Sequence, residues 1–175
     1  MKTAKKRKCI FLDRDGVINE ESGDYIARVE DLKIINGVSQ ALQLLKSHGY
    51  LLIVITNQGG ITEGLFTREQ LKVIHDEIQK RCAKSIDAFY YSPCRSRFSA
   101  SLVHKPGTLL YEKAISQFNI DISKSWMIGD TERDIIAGKK MNLRTILISD
   151  KEESFKEDYK TKNLISAVDL IIGIS

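Results

Sequence analysis

A chain of 175 residues has room for one domain with a sizeable core, and no apolar run in it approaches the length of a membrane span. At 42% hydrophobic and 29% charged residues, the composition is that of an ordinary globular protein, neither disordered nor fibrous. The net charge of +4 is mild, and much of the basic excess lies at the N-terminus, which reads as a solvated arm rather than a nucleic-acid or membrane contact. A positive balance also suits an anionic small substrate. Cys9, Cys82 and Cys94 are too few and too widely spaced for a disulfide framework. With no secretory pattern in front of them, the expected compartment is the reducing cytoplasm.

The apolar run ending at Leu12 predicts a buried strand over 8–13, and Asp13-Arg14-Asp15-Gly16 marks its carboxyl end breaking into a turn. Residues 19–36 are polar and irregular and predict an excursion over that strand end. Val38, Ala41, Leu42 and Leu45 fall at i, i+3, i+4 and i+7, predicting a helix over 38–47 that Gly49 closes. A second buried strand over 50–55 runs into Thr56-Asn57-Gln58-Gly59-Gly60. Thr67 and Gln70 have the spacing of a capping box, and Leu71, Ile74, Ile78 and Cys82 carry the helix behind it. Further strands are predicted over 87–91, 125–128 and 143–148, and helices over 109–118 and from a Thr131 cap to 138–142. Residues 92–106 read as a loop, 150–162 as a charge-dense segment, and 168–172 as a final short strand.

Strands alternate with helices and nothing repeats. The fold class is therefore α/β: one domain over 1–175, a mostly parallel central sheet with helices on both faces, and a basic, flexible tail over 1–7.

Three strand ends carry chemically loaded groups: Asp13 and Asp15, then Thr56 and Asn57, then Asp130 with Asp134 one helical turn later. Lys105-Pro106 precedes another helix. In a parallel sheet these groups reach one edge, where open α/β sheets hold their ligands. Singly, each has a plain reading: turn residues, a surface lysine, and a first-turn carboxylate favoured by the helix dipole. Jointly, the carboxylates predict a hard cation such as Mg²⁺. The hydroxyl, amide and ammonium are phosphate ligands. That combination suits phosphoryl transfer, where positioning and charge neutralisation supply most of the catalysis.

The order of these motifs resembles the haloacid dehalogenase superfamily of phosphatases. Asp13-Arg14-Asp15-Gly16 matches its first motif, Thr56-Asn57 the second, Lys105-Pro106 the third, and Gly129-Asp130 with Asp134 the fourth. Thr56-Asn57-Gln58-Gly59-Gly60-Ile61, Gly64-Leu65-Phe66-Thr67 and Lys105-Pro106-Gly107 resemble the branch of heptose 1,7-bisphosphate phosphatases and the histidinol-phosphatase domain. The likeness spans about residues 9–148.

The resemblance implies a three-layer Rossmann-like fold, with Asp13 as the nucleophile that forms an aspartyl-phosphate. It implies Asp15 as the acid and base, its pKa raised toward neutrality. Mg²⁺ would bind Asp13, the backbone carbonyl of Asp15, and Asp130. Thr56, Asn57 and Lys105 would hold phosphoryl oxygens, with Asp134 in support, orienting Lys105 or a water. The implied substrate is a small phosphorylated metabolite, a sugar phosphate such as heptose 1,7-bisphosphate or alternatively histidinol phosphate, and the enzyme a monomer.

No insertion is large enough for a cap domain, so the expected site is open, shielded by the loops at 19–29 and 92–105. Before Lys105 the chain departs from the heptose branch, which carries there a Cys-x-His pair, a Cys-x-Cys pair and an arginine around a structural zinc. Here Ser92 and Cys94, then Ser101 and Val103, replace the pairs, and no zinc is expected. Residues 95–103 must then be held by packing or be mobile, and His104, in the arginine's place, is a candidate substrate ligand. A signalling receiver domain also gathers carboxylates, a threonine and a lysine around Mg²⁺, but takes its acidic pair and phosphoacceptor from different strands. A catalytically dead binding protein is a third reading, opposed by four intact motifs.

Overall fold

Six strands pair in parallel in the computed structural model, which describes residues 5–21, 23, 25–94 and 101–174. They are β1 (Cys9–Leu12), β2 (Leu51–Asn57), β3 (Ala88–Ser92), β4 (Trp126–Gly129), β5 (Arg144–Ile148) and β6 (Tyr159–Thr161), in the order β3-β2-β1-β4-β5-β6. The helices are α1 (Val38–Ser47), α2 (Arg68–Arg81), α3 (Leu109–Phe118), α4 (Glu132–Lys140) and α5 (Leu164–Ile174). The start of the basic tail, part of the 19–29 loop and residues 95–100 of the loop before Lys105 lie outside the described residues, so the expectation that 95–103 is held by packing or is mobile falls mostly there.

The pleat divides the central strands between two cores. Ile10, Leu12, Leu52, Val54, Trp126 and Ile128 face one side, against Leu42 and Leu45 of α1, Ile74 and Ile78 of α2, and Val168 and Ile171 of α5. Phe11, Leu51, Ile53, Ile55 and Met127 face the other, against Tyr111 and Ala114 of α3 and Ala137 of α4. Both faces are buried, which is why these strands read as continuous apolar runs rather than alternating ones. Each fully buried Leu or Ile contributes on the order of 1.5–3 kcal/mol through this burial.

Two of the expected elements differ. Residues 168–172, read as a strand, lie inside α5, whose buried residues Leu164, Ala167, Val168 and Ile171 stand at i, i+3, i+4 and i+7. A short apolar run viewed without Leu164 hides that helical period. The last strand is instead β6, inside the charge-dense segment, where Tyr159 pairs with Ile146 and Thr161 with Ile148. As an edge strand, half-buried throughout, it lacks the apolar signature. Arg7, assigned to the flexible tail, is also part of the fold: its backbone bridges Ile120, with its N–H donating to the Asn119 carbonyl at 2.9 Å.

Strand order reverses beside β1: β2 and β3 are added on one side of it, β4 to β6 on the other. Open α/β sheets form their ligand crevice at the carboxyl ends of the strands at such a switch point. The loop after β1 returns over this edge, with Asn19 bridged to Ile34 and the Glu20 N–H donating to the Lys33 carbonyl. There the Tyr25 ring packs on Phe66, centroids 5.6 Å apart, over Gly60, where a Cβ would lie 2.4 Å from Phe66.

Candidate active site

Register places the first and fourth motifs side by side. Leu12 is opposite both Val54 and Ile128, and the Asp13 N–H continues the ladder to the Ile128 carbonyl at 2.9 Å. Two glycines permit the approach. A Cβ on Gly129 would lie 2.2 Å from that of Asp134, and one on Gly16, at φ +76°, would lie 1.9 Å from Asp130 Oδ2. No side chain fits either position without moving an aspartate, and Gly16 also needs its left-handed backbone.

Lys105 is the hub. Its side chain is 2% exposed, and its ammonium lies 2.8 Å from Asp13 Oδ1, 2.7 Å from Asp134 Oδ1 and 2.8 Å from the Ile55 carbonyl oxygen. Three acceptors match the three donors of an ammonium. The two carboxylates outweigh the burial penalty and raise the Lys105 pKa, so the lysine is charged at neutral pH. Asp134 is fully buried, and its Oδ2 accepts from the Thr131 N–H at 3.1 Å and hydroxyl at 2.6 Å. The start of α4 thus holds Asp134 in place against Lys105.

Asp15 occupies a separate polar nest. Its carboxylate accepts from Arg14 Nη2 at 2.7 and 3.0 Å, Arg14 Nε at 3.1 Å, Asn19 Nδ2 at 2.9 Å and Gln58 Nε2 at 2.9 Å. Burial pushes its pKa up, but the Arg14 guanidinium and these hydrogen bonds prevail and hold it below the ordinary carboxylate value. The expected rise toward neutrality is therefore corrected: Asp15 is held ionised.

Thr56 is buried, and its hydroxyl oxygen accepts from Gln58 Nε2 at 2.8 Å, leaving its own proton to donate. Gln58 thereby joins Asp15 to Thr56. Asn57 turns to the Lys105 backbone, accepting its N–H at Oδ1 (3.0 Å) and donating from Nδ2 to its carbonyl (3.3 Å). His104, the candidate substrate ligand, is buried with both ring nitrogens engaged by the protein: Nδ1 at the Cys94 carbonyl oxygen (2.6 Å) and Nε2 at Asn57 Nδ2 (3.1 Å).

Asp13, Asp130 and Asp134 each offer a carboxylate oxygen within 4.8 Å of the others. Burial and the neighbouring carboxylates push Asp13 up to about 8 and Asp130 up to about 7. Asp130 Oδ1 and Asp134 Oδ1 are both buried without a hydrogen bond among the described residues, but Asp134 Oδ1 has the Lys105 ammonium 2.7 Å away as an ion-pair partner, and its Oδ2 is held by Thr131. Hard carboxylate oxygens crowded together, one of them orphaned, fit a divalent cation between Asp13 and Asp130. The Asp15 carboxylate is not one of this group, and Arg14, Asn19 and Gln58 occupy its oxygens.

Sequence reading passed over Arg14, Asn19 and Gln58. A fully buried arginine cannot stand without an anion, so its place between two motif aspartates was a usable signal. Asn19 and Gln58 had none beyond adjacency to the motifs.

Residues 5–148 match the model of a family described as haloacid dehalogenase-like hydrolase. D-glycero-beta-D-manno-heptose-1,7-bisphosphate 7-phosphatase of Haemophilus ducreyi is 31% identical, the alignment covering 94% of this chain and 97% of that one. Its namesake from Pasteurella multocida is 34% identical over 88% of each chain. In backbone, the chain resembles the crystal structure of D,D-heptose 1,7-bisphosphate phosphatase from B. bronchiseptica, complexed with magnesium and phosphate. The TM-score is 0.86 at 22% identity, covering 96% of this chain and 99% of that one. Matched from β1 through β5 and aligned almost end to end with its relatives, this chain belongs to the haloacid dehalogenase-like hydrolases.

Proposed function

We propose that this hydrolase is a Mg²⁺-dependent phosphomonoesterase that works through an aspartyl-phosphate, with heptose 1,7-bisphosphate as its substrate. The observation that carries this reading is the buried Lys105 ammonium held between Asp13 and Asp134 beside an orphaned oxygen of Asp130. The substrate rests on the relatives' names. A reducing cytoplasm suits three free cysteines.

Asp13 is the nucleophile in this reading. Its two hydrogen-bonded contacts among the described residues, the Arg14 N–H at 2.6 Å and Lys105, both fall on Oδ1, which leaves Oδ2 to attack phosphorus. The phosphorus–ester oxygen bond breaks as the bond to Asp13 forms, and the leaving oxygen takes a proton from Asp15. In the second half, Asp15 removes a proton from water, the water oxygen attacks phosphorus, and Asp13 is released with inorganic phosphate. Asp15 must carry that proton when the ester bond breaks: because its surroundings hold it ionised at rest, the proton comes from solvent as substrate binds, and the proton taken later from water restores the balance over the cycle. Lys105 and the Thr56 hydroxyl neutralise charge on the phosphoryl oxygens. Asp13, Asp130 and the Asp15 carbonyl would hold Mg²⁺, which when bound supplies positive charge to the phosphoryl group and offsets the repulsion between the two carboxylates.

Phosphate release from a panel of sugar phosphates and histidinol phosphate, with and without Mg²⁺, tests the reading. Heptose 1,7-bisphosphate is expected to turn over fastest, and only with the cation. If histidinol phosphate outruns every sugar phosphate, the substrate assignment falls.

A further inference from the structure

His104 directly precedes Lys105, and its surroundings determine both of its nitrogens. The Cys94 carbonyl only accepts, so Nδ1 carries the ring proton and Nε2 is an acceptor. Asn57 is oriented independently: its Oδ1 accepts the Lys105 N–H, so its NH₂ faces both Nε2 and the Lys105 carbonyl. Tautomer, amide orientation and backbone therefore agree in one arrangement. His104 is 6% exposed, and its ring ties Cys94, ten residues back, to Asn57 at the end of β2.

We propose that His104 is a positioning residue: it ties Cys94 to Asn57 and, through the two bonds from Asn57 to the Lys105 backbone, sets where the Lys105 ammonium meets Asp13. The catalytic half of this role rests on the reading of Asp13 as the nucleophile. A single side chain must donate on one side and accept on the other, along a rigid ring; arginine and lysine have no acceptor to offer. The burial and the two engaged nitrogens leave no free atom on His104 with which to hold substrate.

Two substitutions of similar size separate the two bonds. An asparagine amide reaches about as far as Nδ1 and a glutamine amide about as far as Nε2. His104→Asn therefore keeps the link to Cys94 and loses Asn57, and His104→Gln does the reverse. His104→Asn is expected to lower kcat by roughly tenfold or more with KM nearly unchanged, the effect of slight misplacement. The Lys105 amide proton should also exchange faster with solvent. His104→Gln is expected to restore most of the kcat and the slow exchange.

Wild-type kcat in His104→Asn, or Lys105 exchange unchanged by it, overturns the proposal. So does a rise in KM at constant kcat, which would make His104 a substrate ligand. Exchange is measured without substrate. If the wild-type protein hydrolyses no phosphomonoester, the phosphatase reading fails while the exchange pattern still decides the role of His104.

Discussion

The Arg14 guanidinium grips the carboxylate of its own chain neighbour, Asp15, with Nη2 within 3.0 Å of both oxygens and Nε 3.1 Å from one. Arg14 is fully buried, so its charge depends on this pairing, while the Asp15 side chain keeps about 30% of its surface exposed. The pairing separates the two motif carboxylates electrically. Asp15 is held ionised, while Asp13, among Asp134 and Asp130, is pushed up.

Arg14→Lys should therefore act on catalysis as well as on stability. A lysine cannot reproduce the fork. Losing it frees the Asp15 pKa to rise, and since the base must be ionised, the acid limb of the kcat profile should move to higher pH. We expect kcat at neutral pH to fall on the order of tenfold to a hundredfold. A pH–rate profile of wild type and variant checks this.

Asp13→Asn should abolish turnover and leave the fold intact. The folded pKa of Asp13, about 8, exceeds its unfolded value, so the folded state holds the proton more tightly. That stability is fully present below the unfolded value and is lost as pH rises through about 8. In chelator, wild-type melting temperature should fall between pH 6 and 9, and the asparagine variant should lose most of that slope. Thermal melts across this range measure it.

Asp130→Asn and Gly16→Ala should both weaken the cation site, by different routes. The first removes a ligand charge; the second forces a methyl group to within 1.9 Å of Asp130 Oδ2 and strains a left-handed backbone. Added Mg²⁺ should raise the wild-type melting temperature, as any ligand of the native state does. It should raise that of either variant far less. Without Mg²⁺, Gly16→Ala should also be less stable than wild type by about 1–3 kcal/mol.

His75 predicts an acid sensitivity distinct from that of Asp13 and Asp130. The ring is buried, stacked on Phe89 at 4.3 Å, and Nε2 has no hydrogen-bond partner among the described residues. Burial, with Arg14 nearby, pulls its pKa down to about 3. The unfolded chain then binds the extra proton first, so this contribution is complete above the unfolded value near 6.5 and is lost as pH falls toward 3. The slope should approach about 1.4 kcal/mol per pH unit. Urea denaturation between pH 4 and 7 should show His75→Leu losing that part of the dependence.

Much of the architecture was legible because its causes are local. The spacing of Val38, Ala41, Leu42 and Leu45 predicts α1 with its observed bounds, and Thr67 and Gln70 form the expected reciprocal cap of α2, at 3.2 and 2.8 Å. Where burial is one-sided or the run short, local pattern failed: β6 is a half-buried edge, and the apolar residues 168–172 fit strand and helix equally until Leu164 is counted.

The sequence by itself determined which groups gather at the sheet edge, since Asp13, Thr56, Asn57 and Asp130 each end or follow a strand and parallel strands end together. Only the tertiary structure decided what each group touches. Asp15 is held ionised because the Arg14 guanidinium and the amides of Asn19 and Gln58 converge on it. Asn57 faces the Lys105 backbone because His104 and the loop stand there, and of the two partners expected for Asp134, Lys105 or a water, the ammonium lies 2.7 Å away. Protonation and orientation depend on charges and donors brought together from distant parts of the chain, and no local pattern records those distances.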